Sequence, residues 1–305
     1  MNSNQLNDYR PRRSALYVPG HQRRFIEKSR KLNADCIIFD LQESVPPAGK
    51  ADARSLLTKE LSNSDFGYSE RIVRVNKLDS PWGMDDLQAI AGLDIDAVLF
   101  PNIESKHELQ RAIDALDQAG GRDKAVMANI ESPMGVLRAE EIAGCSERLT
   151  TIVMGTSDLA DSLRVNLTLD RQGLLTYLSM CLLAARAHHK SIIDGPHFNL
   201  KDVVACEYSC RQARDLGFDG KAVIHPVQLT YTNDAMTPKQ EDVAKAKAII
   251  TAIEHAKTQG QSVAVIDDRL IEPCLEHWAN RVLCLCDMVN KIGQSELLGP
   301  VSRAR

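Results

Sequence analysis

Two apolar runs of this chain end in a carboxylate where a buried strand should hand over to a helix: "AVMANIESP" (125–133) carries Glu131 and "TIVMGTSDLA" (151–160) carries Asp158. On neighbouring strands, roughly 5 Å apart, the two charges repel unless a cation or a shared proton lies between them. No His or Cys accompanies them. An all-oxygen donor set suits Mg²⁺, which takes one or two carboxylates and completes its octahedron with water and substrate oxygens. The competing reading is that each carboxylate caps a helix, since "SPMGV" and "SDLAD" begin helices and anionic residues are favoured there.

A third group is Arg74, with Val on either side in "RIVRVN". A buried arginine needs an anion, so it either pairs with a nearby carboxylate or awaits an anionic substrate, whose carboxylate its guanidinium fork matches bidentately. Other polar residues end the remaining runs: Asp40, Gln42, Glu43, Asn76, Asn102, Glu104, Asp194 and His225. Asp40 and Glu43 either support the substrate and the cation's water or pair with Lys50 or Arg54 as loop charges. His225, before Pro226, reads as an anchor for its turn.

These residues need a scaffold that gathers strand ends. Eight short apolar runs, at 15–20, 36–44, 71–76, 97–105, 125–133, 151–160, 191–196 and 221–226, alternate with stretches of helical periodicity. Strands apolar on both faces and separated by helices imply a parallel sheet covered by helices. Eight such units predict a closed (β/α)8 TIM barrel, whose active site lies at the C-terminal strand ends. An open doubly wound sheet is the alternative, but no G-x-G-x-x-G turn follows any run. Residues 1–12 read as a flexible arm, 13–235 as the barrel, and 236–305 as a helical extension that caps the mouth or reaches a neighbouring subunit.

Composition narrows the partners. With 305 residues, 44% hydrophobic, 26% charged and a formal charge of −4, the chain has no basic excess that would argue for nucleic acid or an anionic membrane. It shows no membrane-length apolar run and no apolar signal core at the N-terminus, so a cytoplasmic location is expected. The eight cysteines form no C-x-x-C pair and read as free thiols.

Eight motifs then occur in order between residues 12 and 285: "RSALYVPGHQRRF", "IIFDLQESVPPAGKADAR", "VRVNKLDSPWGMDDL", "VLFPNIES", "IESPMGVLRAEEIA", "GTSDLADSL", "LGFDGKAVIHPVQL" and "DDRLIEP". Together they resemble the citrate lyase beta-subunit-like branch of the HpcH/HpaI aldolase superfamily, which includes malyl-CoA and citramalyl-CoA lyases. The resemblance implies a (β/α)8 barrel that uses Mg²⁺ to cleave or form a C–C bond in a 3-hydroxyacyl-CoA thioester such as malyl-, citramalyl- or citryl-CoA, yielding an acyl-CoA and an oxo acid. It implies Glu131 and Asp158 as metal ligands, Arg74 as the substrate-carboxylate arginine, and a homotrimer or multiple of it. It further implies an acid at Glu272, supplied by a neighbouring subunit. Arg13 and Arg24, with Arg23 and Lys28, are then candidates for the CoA phosphates, and the Asp194 loop "IDGPH" for the thioester end.

The chain departs from the pattern at three points. The usual Asp-Leu-Glu-Asp loop is Asp40-Leu41-Gln42-Glu43, the usual glycine of the C-terminal segment is Asp268, and the usual Asp acid is Glu272. Alternatives within reach of these residues are a malyl-CoA-type thioesterase, a CoA-independent 2-oxo acid aldolase, and a non-catalytic acyl-CoA-binding subunit.

Overall fold

The computed structural model describes residues 10–62, 65–261, 263–266 and 269–298. The chain divides into two compact units, one spanning Arg12–Met236 and the other containing the residues from Thr237 onward. The first is the barrel. Its strands are β1 (Ser14–Pro19), β2 (Cys36–Asp40), β3 (Glu70–Arg74), β4 (Ala97–Phe100), β5 (Ala125–Ile130), β6 (Leu149–Met154), β7 (Ser191–Asp194) and β8 (Gly220–Val223). They close in sequence order, and every pairing is parallel, including β1 with β8. All eight predicted runs are therefore strands, and the barrel rather than the open sheet is the fold.

Each strand divides its residues between two environments because successive side chains point to opposite faces. One set, including Leu16, Ile37, Phe39, Val73, Val98, Val126, Ala128 and Ile192, packs in the core that also holds helix residues such as Leu57, Leu109 and Leu178. The other set, Ala15, Cys36, Ile38, Ile72, Leu99, Met127, Val153, Ile193 and Ala222, forms a separate cluster with Tyr17 at its edge. This is the side-chain plug of a filled barrel. Continuing the inward set by two residues along each strand gives Asp40 after Ile38, Arg74 after Ile72, and Asn129 then Glu131 after Met127. The lumen changes from apolar to ionisable at its C-terminal end.

The N-terminal strand ends are closed by charges of their own. Arg12 holds Glu70 with Nε at 2.6 Å and Nη2 at 2.8 Å, and Arg13 holds both oxygens of Asp35 at 2.8 Å. Buried bidentate pairs of this kind satisfy their donors and acceptors internally.

In the second unit, helices Gln240–Thr258 and Pro273–Leu298 flank a two-stranded antiparallel ribbon, Ala264–Ile266 with Arg269–Ile271. Ala246, Ile249 and Ala279 form its small core, with Ile253, Leu275 and Trp278 packed against them. Among the described residues no helix is long and apolar enough to cross a membrane.

Candidate active site

The C-terminal strand ends enclose a cavity of about 390 Å³, whose walls include Tyr17, Asp40, Glu43, Arg74, Asn129, Glu131, Thr156 and Asp158. Asp40 and Arg74 are register partners on β2 and β3. Both point into the lumen, and Arg74 Nε and Nη2 each donate to one Asp40 oxygen at 2.8 Å. The Asp40 oxygens also accept from the backbone N–H groups of Gln42 and Ser44. Burial would raise the Asp40 pKa, but the bonds from Arg74, Ser44 and Gln42 outweigh it and hold the carboxyl below its usual range. Glu43 stands 3.4 Å from Arg74 Nη2 with its side chain 57% exposed. The guanidinium lies 4.9 Å from the Tyr17 ring centroid, an attractive placement for a cation over a π-face. Nη1 makes no hydrogen bond among the described residues, and the side chain lines the cavity.

The carboxylate pair is built from the next two strands. Ile130 and Met154 are register partners on β5 and β6, which sets Glu131 beside Gly155. A Cβ at Gly155 would overlap Glu131, so this position must be glycine for Glu131 to sit where it does. Asp158 follows in the first turn of helix Thr156–Leu163.

Neither carboxylate is a side-chain cap, although Asp158, in the first turn of its helix, does stand where an anion is favoured. Ser132 caps helix Pro133–Leu137, its hydroxyl accepting from Gly135 N, and helix Thr156–Leu163 has no side-chain cap. Glu131 is 5% exposed and takes a short hydrogen bond from Asn129 Nδ2. Burial pushes its pKa up to about 7; Arg74 opposes the shift, while Asp158 and Glu43 add to it. A buried carboxylate that resists ionisation beside a second carboxylate is what a cation would relieve.

Among the described residues, no group of three or more His, Cys, Asp or Glu side chains is placed to hold a metal ion. A zinc-type cage is therefore not the fit. Two carboxylates facing one open cavity are a fit for Mg²⁺, which keeps water and substrate oxygens in its remaining positions.

The remaining sequence expectations fall apart in two places. Arg13 precedes β1, so it lies at the N-terminal end of the barrel, opposite the mouth, and its guanidinium is committed to Asp35. It has no route to a ligand in the cavity. Asp194 follows the inward Ile193, so it faces the helical layer. It is fully buried, with Arg171 Nη1 at 2.8 and 2.7 Å and Lys221 Nζ at 2.7 Å. That triad braces the β7–β8 edge and leaves no carboxylate oxygen for substrate. Lys50 bonds to Leu41 O, Gln42 O and Asn76 Oδ1, and Arg54 to Asp85 and Asp86, so neither is the partner of Asp40 or Glu43.

Arg24 is exposed on helix Arg23–Ser29, which follows the C-terminal end of β1. His225 accepts from Val227 N through Nδ1 at 3.2 Å, as a turn anchor would. Glu272 is exposed in the second unit, immediately before helix Pro273–Leu298; Asp268 lies outside the described residues. None of the eight cysteines is in a disulfide. Among the cavity residues that sequence did not pick out are Tyr17 and Asn129. Their signal was phase: Asn129 is two residues before Glu131, and Tyr17 two after the inward Ala15.

A closed (β/α)8 barrel with a carboxylate pair and a tethered arginine lining one cavity at its C-terminal mouth has the architecture of a barrel enzyme. Residues 13–226 match the HpcH/HpaI aldolase/citrate lyase family, and the chain belongs to that family. Among curated relatives it is 41% identical over 285 residues to a (3S)-malyl-CoA thioesterase of Cereibacter sphaeroides, covering 93% of this chain and 98% of the relative. It is 32% identical to the citrate lyase beta subunit of Escherichia coli, covering 88% of this chain and 91% of that one. Among solved structures, the citrate lyase beta subunit of Mycobacterium tuberculosis complexed with oxaloacetate and magnesium is similar at 25% identity and a TM-score of 0.65, over 77% of this chain and all of that one.

Proposed function

We propose that this chain is a Mg²⁺-dependent enzyme acting on the coenzyme A thioester of a malyl-type 3-hydroxy dicarboxylic acid, and that it hydrolyses the thioester. The observation that carries the reading is the single cavity in which Glu131 and Asp158 face Arg74. A cation site and a carboxylate clamp in one chamber suit a short acid with charge at one end and polarised oxygens at the other. The choice of hydrolysis is supported by the 41% identical malyl-CoA thioesterase, which this chain matches over nearly its whole length. Cleavage of the C–C bond is the second reading, favoured by the citrate lyase subunits at 32–33% identity and by the oxaloacetate and magnesium of the solved relative.

Glu131 and Asp158 would hold the cation, which supplies Lewis-acid polarisation of the substrate oxygens it meets. Arg74 offers Nη1 to the substrate carboxylate, while Asp40 fixes the plane of the guanidinium and Tyr17 supports its face. In hydrolysis, water adds to the thioester carbonyl, the C–S bond breaks, and the departing sulfur takes a proton to give the free thiol and the free acid. Glu272, reaching the cavity from a neighbouring copy in a trimer, is the proposed general acid or base. Arg24 is the proposed contact for the CoA phosphates, and the assembly is proposed to work in the cytoplasm.

Malyl-CoA incubated with Mg²⁺ separates the readings. Free thiol with malate and no glyoxylate supports hydrolysis; acetyl-CoA with glyoxylate supports cleavage. No turnover of malyl-, citramalyl- or citryl-CoA would leave a non-catalytic acyl-CoA-binding role instead.

A further inference from the structure

The roles above use the ring of Tyr17 and leave its hydroxyl idle. Tyr17 lies on β1 two residues after the inward Ala15, so its side chain enters the lumen, where it is partly buried and lines the cavity. Its ring is held against the Arg74 guanidinium. The hydroxyl makes no hydrogen bond among the described residues, and it is not one of the polar atoms buried without a partner, so it is open to the cavity. The charges that act on it are those of Arg74, Asp40, Glu131 and Glu43, all of them cavity walls. Burial, with the three carboxylates, pushes the phenol pKa above its usual value against the pull of Arg74, and the group is a donor at neutral pH. The hydroxyl of Ser44, by contrast, is spent on Asp40 O.

A free donor among carboxylates can serve an oxygen that gains negative charge. Asp40, Glu43, Glu131 and Asp158 repel such an oxygen, and a donated hydrogen bond offsets that repulsion. In a CoA thioester the carbonyl oxygen gains charge whichever bond is broken. In hydrolysis the water oxygen bonds to the carbonyl carbon and the C=O pair moves onto oxygen, returning as the C–S bond breaks and sulfur takes a proton. In C–C cleavage the pair of the breaking bond spreads onto the same oxygen as an enolate. The alcohol of the other fragment loses its proton to become the carbonyl of the oxo acid, and a proton at carbon then restores the thioester. We propose that Tyr17 is a catalytic residue whose hydroxyl donates to the thioester carbonyl oxygen and holds the negative charge that the reaction places there. This inference rests on the CoA-thioester reading of the substrate.

Tyr17→Phe keeps the ring on Arg74 and removes only the hydroxyl. It is assayed beside wild-type protein on malyl-, citramalyl- and citryl-CoA with Mg²⁺, following free thiol and oxo acid, and its affinity for malate with Mg²⁺ is measured by calorimetry. Losing one donor to an oxyanion costs about 100- to 1,000-fold in kcat. Tyr17→Phe is therefore expected to lose about 100-fold in kcat in whichever reaction the wild type performs, with KM within about threefold. Malate has no thioester, so its affinity is expected to stay, as is the melting temperature. A kcat within about threefold of wild type overturns the inference. So does a loss of malate affinity as large as the loss of kcat/KM, which would assign the hydroxyl to the carboxylate or alcohol of the substrate. Wild-type protein that turns over none of the three esters refutes the thioester reading and this inference together. Wild-type turnover that Tyr17→Phe retains refutes this inference alone.

Discussion

Gly155→Ala tests whether the wall of the cavity is shaped around Glu131. The added Cβ would stand 2.5 Å from Glu131 Oε2 and closer still to Glu131 Cβ. Ordinary van der Waals contact begins near 3.4 Å, so one of the two must give way by roughly 1 Å. Gly155 N is bonded to Ile130 O at 2.9 Å, which ties the glycine backbone to β5, and Glu131 is 5% exposed, so neither moves freely. Overpacking of this kind costs about 1–3 kcal/mol of stability. Displacing a reacting group by about 1 Å costs on the order of 100-fold in rate, or about 2.7 kcal/mol. The expected variant is folded, melts a few degrees lower by roughly 2–4 °C per kcal/mol, and loses at least tenfold in Mg²⁺ affinity by calorimetry, with kcat/KM down about 100-fold. Mg²⁺ affinity and kcat/KM within about threefold of wild type would refute the claim that this glycine exists to seat the carboxylate.

The buried triad gives a pH prediction. Burial would raise the Asp194 pKa, but Lys221 and Arg171 outweigh it and hold the carboxyl below its usual value. A depressed folded-state pKa contributes stability that is present above the unfolded value of about 3.9 and is lost as pH falls through the folded one. Asp194→Asn should therefore be less stable by about 3–5 kcal/mol near neutrality, because it leaves two buried cations underpaired, and the gap to wild type should close below about pH 4 in urea titrations; a gap independent of pH would contradict the pairing. The two arginines separate by role. Arg13→Ala should lower the melting temperature and leave KM for the CoA ester unchanged, whereas Arg24→Ala should leave stability unchanged and raise KM more at low salt than at high; the reverse pattern would exchange their assignments.

Strand positions were legible because each run is apolar on both faces and is punctuated by polar residues where it leaves the sheet. Closure followed from their number. The lumen residues Asp40, Arg74 and Glu131 were found because they end their runs, and they face inward because they keep the phase of an inward apolar side chain, two residues past it for Asp40 and Arg74 and four past Met127 for Glu131. The same rule, followed by position instead of by phase, misplaced Asp194: it also ends its run, but it comes one residue after the inward Ile193 and so points to the helices. Arg13 misled for a related reason. It adjoins a strand at the wrong end, and the charge that pairs with it, Asp35, adjoins the next strand at the same end. Asn129 was hidden inside an apolar run, where an amide looks like a tolerated exception until its neighbour at i+2 is seen to be a carboxylate.

The central claim is that Glu131 and Asp158 hold one divalent cation in the cavity that Arg74 also lines. It is tested most directly by crystals grown with Mn²⁺ in place of Mg²⁺ and read by anomalous scattering. One manganese is predicted at about 2.1 Å from a carboxylate oxygen of each residue, as for an octahedral oxygen site, with no such peak in Glu131→Gln crystals. Manganese bound elsewhere on the chain, or a peak that persists unchanged in Glu131→Gln, would contradict it.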